Sequence, residues 1–316
     1  MIGLALRLFG PYVTYMNTNA ESSTAREIAS QPQTWRTAAQ RTAPQLARVL
    51  TTPGPLAIVG CGTSWFVAQA IASLREAAGS GPTDAFTASE AHLGRGYPEV
   101  LVLSRSGTTT EVRQVLTERP PGCRSTAVVA VAGSPVADAA DEVVVLDYAD
   151  EQSVVQTRFA TSVLAAARVA FGEDIEPLAV AAQDALAGPL PPAALVARQT
   201  VFLGTGWSIG VAHEAALKLR EAAQAWTESY PAMEYRHGPV ALAEPGTLVW
   251  VLGPAPEGLE AQVAATGATV VNDAIDPLAD LVRVQRVALG RAALLGLDPD
   301  RPRNLTRSVV LDSSAP

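Results

Sequence analysis

The sequence is poor in the residues on which several classes of function depend. Its 316 residues include two cysteines, Cys61 and Cys123, three histidines and a single lysine, Lys218, so the other 22 basic residues are arginines. Two distant cysteines give no disulfide framework, and no CxxC pair or Cys/His ligand spacing occurs, so the chain reads as cytoplasmic, with no metal site and no cofactor. The basic residues number 23 against 31 acidic ones, for a net charge of -8, and no window gathers the arginines into a stripe. Neither a nucleic acid nor a membrane is expected as a partner. An anionic small molecule would need local donors.

A hydrophobic content of 48% with 17% charged residues describes a globular chain. At about 150 residues per domain the length suggests two domains, each burying roughly 70% of its extended-chain surface. The opening MIGLALRLFGPYVTY looks mildly like a targeting segment, but Pro11 interrupts it and no small-residue cleavage site follows. Residues 1–23 are therefore expected to be a disordered or non-native start, with Met16 as an alternative initiator.

Apolar residues from Thr24 to Leu50 fall at helical spacing broken by Pro32 and Pro44, which predicts a helical arm over 24–50. Strand-like runs follow at Leu56–Gly60, Val100–Ser104, Ala127–Val131 and Glu142–Leu146, alternating with helical patterns. Apolar strands alternating with helices predict a parallel sheet covered on both faces. This first subdomain is placed at 51–172, followed by a Pro-rich linker at 173–195. The pattern restarts with Thr200–Gly204, a helix to about Gln224, and strands at Thr247–Leu252 and near Ala268–Val271, giving a second subdomain at 196–296 and a tail at 297–316. Gly62-Thr-Ser-Trp65 matches Gly204-Thr-Gly-Trp207 at an offset of 204 - 62 = 142 residues, a signal of tandem duplication.

The strongest chemical motif is Ser104-Arg-Ser-Gly-Thr-Thr-Thr-Glu111, set between an apolar strand and a helix. A glycine that lets the backbone come close, several hydroxyls and a helix N-terminus together suit an anion, with phosphate the expected one. Helix capping alone is the plainer use of one hydroxyl, but several around one glycine point to binding. Gly60-Cys-Gly-Thr-Ser64 sits one strand earlier. It fails as a dinucleotide fingerprint because Trp65 holds the third glycine position and no acidic residue ends a second strand about 20 residues on, which excludes a nicotinamide oxidoreductase. Its useful group is the Ser64 hydroxyl; Cys61 reads as a small buried residue, with no histidine nearby to activate it.

In the second half Glu214, Lys218 and Glu221 stand at i, i+4 and i+7, on one helical face. Such a ladder is commonly solvated. On a helix otherwise rich in alanine and leucine, after the repeated strand, a carboxylate beside the only lysine is a candidate general base. Downstream, Glu228-Ser-Tyr-Pro-Ala-Met-Glu-Tyr-Arg-His-Gly-Pro239 reads as a structured loop in which His237 could shuttle a proton at a sugar ring oxygen.

Taken together these residues resemble the sugar isomerase (SIS) domain family, most closely the isomerase half of the glutamine:fructose-6-phosphate aminotransferases. The likeness runs from about Glu27 to the end and covers Glu27-Ile-Ala-Ser-Gln-Pro32, Cys61-Gly-Thr-Ser64, Ser104-Arg-Ser-Gly-Thr-Thr109, Thr157-Arg-Phe159, Glu214-Ala-Ala-Leu-Lys-Leu-Arg-Glu221, the Glu228–Pro239 segment and Asp300-Arg-Pro-Arg-Asn-Leu-Thr-Arg-Ser-Val309. The resemblance implies an α/β fold of two tandem flavodoxin-like subdomains in a homodimer with shared active sites. It implies that Ser104, Arg105, Ser106 and Thr109 hold a sugar phosphate with Ser64 in support, and that Val154 and Gln156 line the sugar. Glu221 would move a proton between C1 and C2 with Lys218 assisting beside it, Glu214 would bind the substrate, and His237, from the partner chain, would open the ring.

Two departures bear on the activity. These 316 residues hold no counterpart of the glutaminase half, so release of ammonia from glutamine is not expected of them. The family's tail lysine is replaced by Arg307, which would bind the substrate but stays protonated and forms no Schiff base. The expected function is a phosphosugar isomerase, or an isomerase/deaminase acting on an amino-sugar phosphate; a non-catalytic phosphosugar-binding sensor is the alternative.

Overall fold

The structure, a computed structural model, describes residues 22–311. The expected non-native start and the Met16 initiator fall outside these residues, apart from positions 22 and 23. Two compact units are present, one built on a five-stranded sheet and one on a four-stranded sheet.

Within the described residues the five-stranded unit comprises 33–150, 158–177 and 306–311. Its strands are β1 (Leu56–Gly60), β2 (Thr83–Thr87), β3 (Glu99–Ser104), β4 (Arg124–Val129) and β5 (Glu142–Val145), all parallel, in the order β2-β1-β3-β4-β5. Ala57, Val59, Val100, Val102, Ala127 and Val129 form one face of the core with Val112 and Leu116 of the helix Thr110–Glu118. Ile58 and Leu101 alternate to the other face and are also fully buried, as a parallel sheet covered on both sides requires. Arg75 fastens the helix Thr63–Ala77 to the loops below it: its buried guanidinium donates to the carbonyls of Leu50, Thr52, Gly54 and Gly81 and to the Thr83 hydroxyl.

The four-stranded unit comprises 22–32, 151–157 and 178–305. Its strands are β6 (Gln199–Gly204), β7 (Trp226–Pro231), β8 (Thr247–Leu252) and β9 (Thr269–Val271), parallel, in the order β7-β6-β8-β9. Val201, Leu203, Val249 and Val251 pack against Leu259 and Val263 on one face; Phe202 and Trp250 are buried on the other. Each sheet therefore starts on an inner strand, adds one neighbour, and crosses back to the other side. This places a topological switch point beyond the carboxyl ends of β1 and β3, and of β6 and β8.

The helical segment 24–50 is three helices, Ser23–Ala29, Gln31–Arg41 and Ala43–Leu50, with Pro32 and Pro44 each in the first turn of the next helix. The stretch 173–195 carries the helix Ile175–Ala187 and the start of a short one at Pro192–Val196. Elements not read from the sequence include β2, β7, the helices Ile175–Ala187 and Leu259–Ala264, and the long helix Pro277–Leu295. The segment Glu228–Pro239 thus begins as an edge strand and only then becomes a loop with two 3-10 turns.

The two sheets begin alike, but two residues out of the register that the matching letters suggest. A Cβ on Gly60 would lie 2.6 Å from the Ser64 backbone, and one on Gly204 would lie 2.3 Å from the Ser208 carbonyl. Both glycines end the first strand of a sheet where the following helix packs against it, so Gly60 and Gly204 hold corresponding places. Their offset is 204 - 60 = 144 residues.

Candidate functional site

In the five-stranded unit the site is built at the carboxyl ends of β1 and β3, which pair directly. Ser104 is the last residue of β3, and the chain turns through Gly107 at a φ of 65° before the helix Thr110–Glu118. Only glycine serves at this turn: a Cβ would stand 1.9 Å from the Ser134 hydroxyl. The Gly107 carbonyl accepts from Val136 N–H and the Arg105 carbonyl from Ala130 N–H, so the loop is pinned to the end of β4 and the turn beyond it.

Ser104, Arg105 and Ser106 are buried. Among the described residues the Ser104 hydroxyl has no hydrogen-bond partner, and Thr109, at the helix N-cap, makes no side-chain capping bond. Ser64 differs from its counterpart Ser208 in the same way. Ser208 is consumed within the fold, donating to the carbonyls of Thr205 and Leu252 and accepting from Thr205 N–H, whereas among the described residues no group takes up the Ser64 hydroxyl. A buried hydroxyl without a partner, as at Ser104, is rare, and Ser64 and Thr109 stand at the start of a helix.

The tail runs over the same loop. The Arg105 guanidinium donates to the Arg307 carbonyl at 2.9 Å, Thr108 Oγ1 bonds Ser308 Oγ at 2.9 Å, and Thr110 N–H donates to the Val309 carbonyl at 3.3 Å. The Arg307 side chain is paired with Asp150, a partner that no motif in the sequence signalled. Cys61 carries no sign of activation, since burial pushes its thiol up.

In the four-stranded unit the helix Ser208–Ala223 carries Glu214, Lys218 and Glu221, and the expected common face is real but not solvated. Lys218 is 1% exposed, with Nζ 3.2 Å from Glu214 Oε1 and 2.6 Å from Glu221 Oε2. Burial by itself would strip the proton from this amine; the carboxylates of Glu214 and Glu221 reverse that and hold it above its ordinary value. Lys218 is thus a fixed cation, and Glu221, whose side chain is 19% exposed against 3% for Glu214, is the member of the trio that faces outward.

Val154 and Gln156 lie on the segment 151–157, and among the described residues the buried Gln156 Oε1 has no hydrogen-bond partner. His237 is exposed at the end of the 3-10 turn Glu234–His237, and among the described residues no hydrogen bond or ion pair joins it to the Glu–Lys–Glu trio. His213, on the same helix as the trio, bonds Ser229 of β7 at 2.8 Å, and burial lowers its pKa.

No protein-family profile matches the chain. The glutamine–fructose-6-phosphate aminotransferase (isomerizing) of Bacillus subtilis is 28% identical over 306 residues, covering 81% of this chain and 51% of the relative. That of Pyrobaculum aerophilum is 27% identical over 343 residues, covering 91% and 57%. The chain thus spans about half the length of the curated relatives it matches. Among solved structures, a glucosamine-6-phosphate deaminase from Thermotoga maritima superposes with a TM-score of 0.77 at 26% identity, covering 92% of this chain and 100% of that one. The tagatose-6-phosphate ketose/aldose isomerase from Escherichia coli, at 19% identity and a TM-score of 0.73 over 89% of this chain and 96% of that one, shares the fold.

Proposed function

With the isomerase (SIS) domain of the glutamine–fructose-6-phosphate aminotransferases as its homologue, we propose that this chain is a phosphosugar isomerase or an amino-sugar-phosphate isomerase/deaminase. The observation that carries the reading is the buried Lys218 held between Glu214 and Glu221, with Glu221 turned outward. An aldose-ketose interconversion needs one carboxylate that takes the proton from C2 and returns it to C1 through an enediol. Glu221 suits that role because the neighbouring ammonium keeps a carboxylate fixed in place in a dry environment.

If C2 carries an amine, the same transfer yields a C2 imine. Water adds to it and the nitrogen leaves as ammonia. Glucosamine 6-phosphate plus water would then give fructose 6-phosphate plus ammonia. Lys218 stays protonated and acts electrostatically. Arg307 is held by Asp150 and forms no imine, so no covalent step at the tail is required. The hydroxyls of Ser64, Ser104, Ser106 and Thr109 and the Arg105 guanidinium hold the phosphate, and Val154 and Gln156 line the sugar. His237 opens the ring; its exposure fits supply to a partner subunit in a cytoplasmic homodimer of two-subdomain SIS chains.

Proton NMR in D2O tests the reading with fructose 6-phosphate, glucose 6-phosphate and glucosamine 6-phosphate, with and without ammonium. Deuterium entering C1 or C2 of one sugar, lost in Glu221→Gln, is the expected result, and ammonia release from the amino sugar selects the deaminase. Saturable binding without exchange of any of them would overturn catalysis and leave a phosphosugar sensor.

A further inference from the structure

Two of the motifs shared with the SIS family, Glu27-Ile-Ala-Ser-Gln-Pro32 and the Asp300 end of the tail, have no part in the chemistry above. The four-stranded unit contains both. Glu27, in the helix Ser23–Ala29, is buried, and its carboxylate reaches the segment 151–157: Gln152 N–H donates to Oε1 at 2.6 Å, Ser153 N–H donates to the same oxygen at 3.4 Å, and the Ser153 hydroxyl donates to Oε2. The other end of that segment is closed by Glu151, which accepts from Thr157 N–H at 2.6 Å and the Thr157 hydroxyl at 2.8 Å. Between these two fastenings stand Val154 and Gln156.

The helix that carries Glu27 is itself anchored at both ends. Asp300 accepts from Ser23 N–H at 2.7 Å, Thr24 N–H at 2.8 Å and the Thr24 hydroxyl at 2.6 Å. Beyond the helix, Gln31 donates to the Gln285 side-chain oxygen at 2.6 Å. Thr24 and Ile28 of this helix, Val155 and Thr157 of the segment, and Lys218 and Ala222 of the Glu–Lys–Glu helix border one cavity of about 10 Å3, the size of a single water. The brace, the sugar-lining segment and Lys218 therefore pack as one body.

From this geometry we infer that Glu27 is a positioning residue: it locks the segment 151–157 so that Val154 and Gln156 stand ready for the sugar. The inference rests on the reading that these two residues line the substrate. An apolar side chain in place of Glu27 could fill the space but could not accept from two backbone N–H groups at once, which explains a buried carboxylate in this place.

The experiment compares the wild-type chain with Glu27→Gln, Ser153→Ala and Val287→Ala, the last a fully buried core residue of the same unit that does not border this cavity. Backbone hydrogen exchange of peptides covering 151–157 is read by mass spectrometry, and KM and kcat are measured with the phosphosugar that the wild-type chain turns over. Glu27→Gln is expected to speed exchange in that segment about tenfold and to raise KM about tenfold with kcat within about twofold, as loss of charge-assisted hydrogen bonds predicts. Ser153→Ala is expected to move both in the same direction by less, and Val287→Ala to lower the melting temperature while moving neither. Wild-type exchange in Glu27→Gln, or equal local exchange in Val287→Ala, would overturn the inference. Should the wild-type chain turn over no phosphosugar, the catalytic reading falls, and exchange still decides whether Glu27 holds the segment.

Discussion

Replacing Lys218 with methionine removes one buried cation and strands two carboxylates. In the wild-type chain the ammonium stands 2.6 Å from Glu221 and 3.2 Å from Glu214. At an effective dielectric constant of about 20 each attraction amounts to about 5–6 kcal/mol before desolvation. Burying the ions costs several kcal/mol apiece, so the intact trio adds little net stability. Removing the cation leaves the cost of burying Glu214 uncompensated, and the chain is expected to become less stable by about 3–5 kcal/mol at pH 7. Methionine fills most of the lysine volume, so little of that change is a cavity effect.

The destabilisation also has a signature in pH. Without the ammonium, burial and mutual repulsion raise the carboxylate pKa values in the folded variant above those of the unfolded chain. The folded variant then binds extra protons on acidification and regains stability as pH falls. Urea unfolding of the wild type, Lys218→Met and Lys218→Met/Glu214→Gln between about pH 5 and 8 measures both effects. The double variant, with its buried carboxylate neutralised, is expected to recover at least about 1.5 kcal/mol. A Lys218→Met effect below about 1 kcal/mol, or one independent of pH, would refute the account of this cluster.

Two further substitutions probe each unit separately. In the four-stranded unit burial pushes the Asp280 carboxyl up to about 6, against the pull of Trp250 N–H and the Arg283 guanidinium. The folded chain therefore binds more protons than the unfolded one between the ordinary value of 3.8 and about 6. Asp280 lowers stability as pH rises through that window, by about 3 kcal/mol in full, and the stability returns below it. Asp280→Asn should flatten this dependence in urea unfolding at pH 4 and pH 7 relative to the wild type; an unchanged slope would contradict it. In the five-stranded unit Gly107→Ala should cost about 2 kcal/mol or more, combining left-handed strain with the collision at Ser134. It should also abolish calorimetric binding of the sugar phosphate, and wild-type affinity in this variant would remove the loop from the site.

The strands that could be read from the sequence are those with apolar runs: the inner strands, buried on both faces, and the outer strands β5 and β9 through Val143-Val-Val145 and Val270-Val271. Val100–Ser104 and Thr247–Leu252 are apolar throughout because helices cover both sides, and each is located to within a residue. β2 and β7 escaped for the converse reason. Thr83-Asp-Ala-Phe-Thr87 and Trp226-Thr-Glu-Ser-Tyr-Pro231 are outer strands, each paired on one side only, and their partly exposed, polar residues carry no hydrophobic signal. The register between the two halves slipped because a match of letters at Gly62 outweighed the steric demand on Gly60, which exists only once helix and strand pack.

The sequence by itself determined the local chemistry: the hydroxyl-rich loop at a helix start, and the three charges at helical spacing that must share a face. Both follow from backbone periodicity, which operates over a few residues. Only the tertiary structure decided whether that face was wet or dry. A Glu-Lys-Glu ladder has the same spacing on a solvated surface as in a core, and it is the packing around Lys218 that turns an ordinary ion-pair ladder into a fixed ammonium with one outward carboxylate. The partnerships of Asp150 with Arg307 and of Glu27 with Ser153 lie equally beyond local reading. They join residues more than a hundred positions apart, and nothing in a chain's local pattern encodes which distant carboxylate will meet which donor.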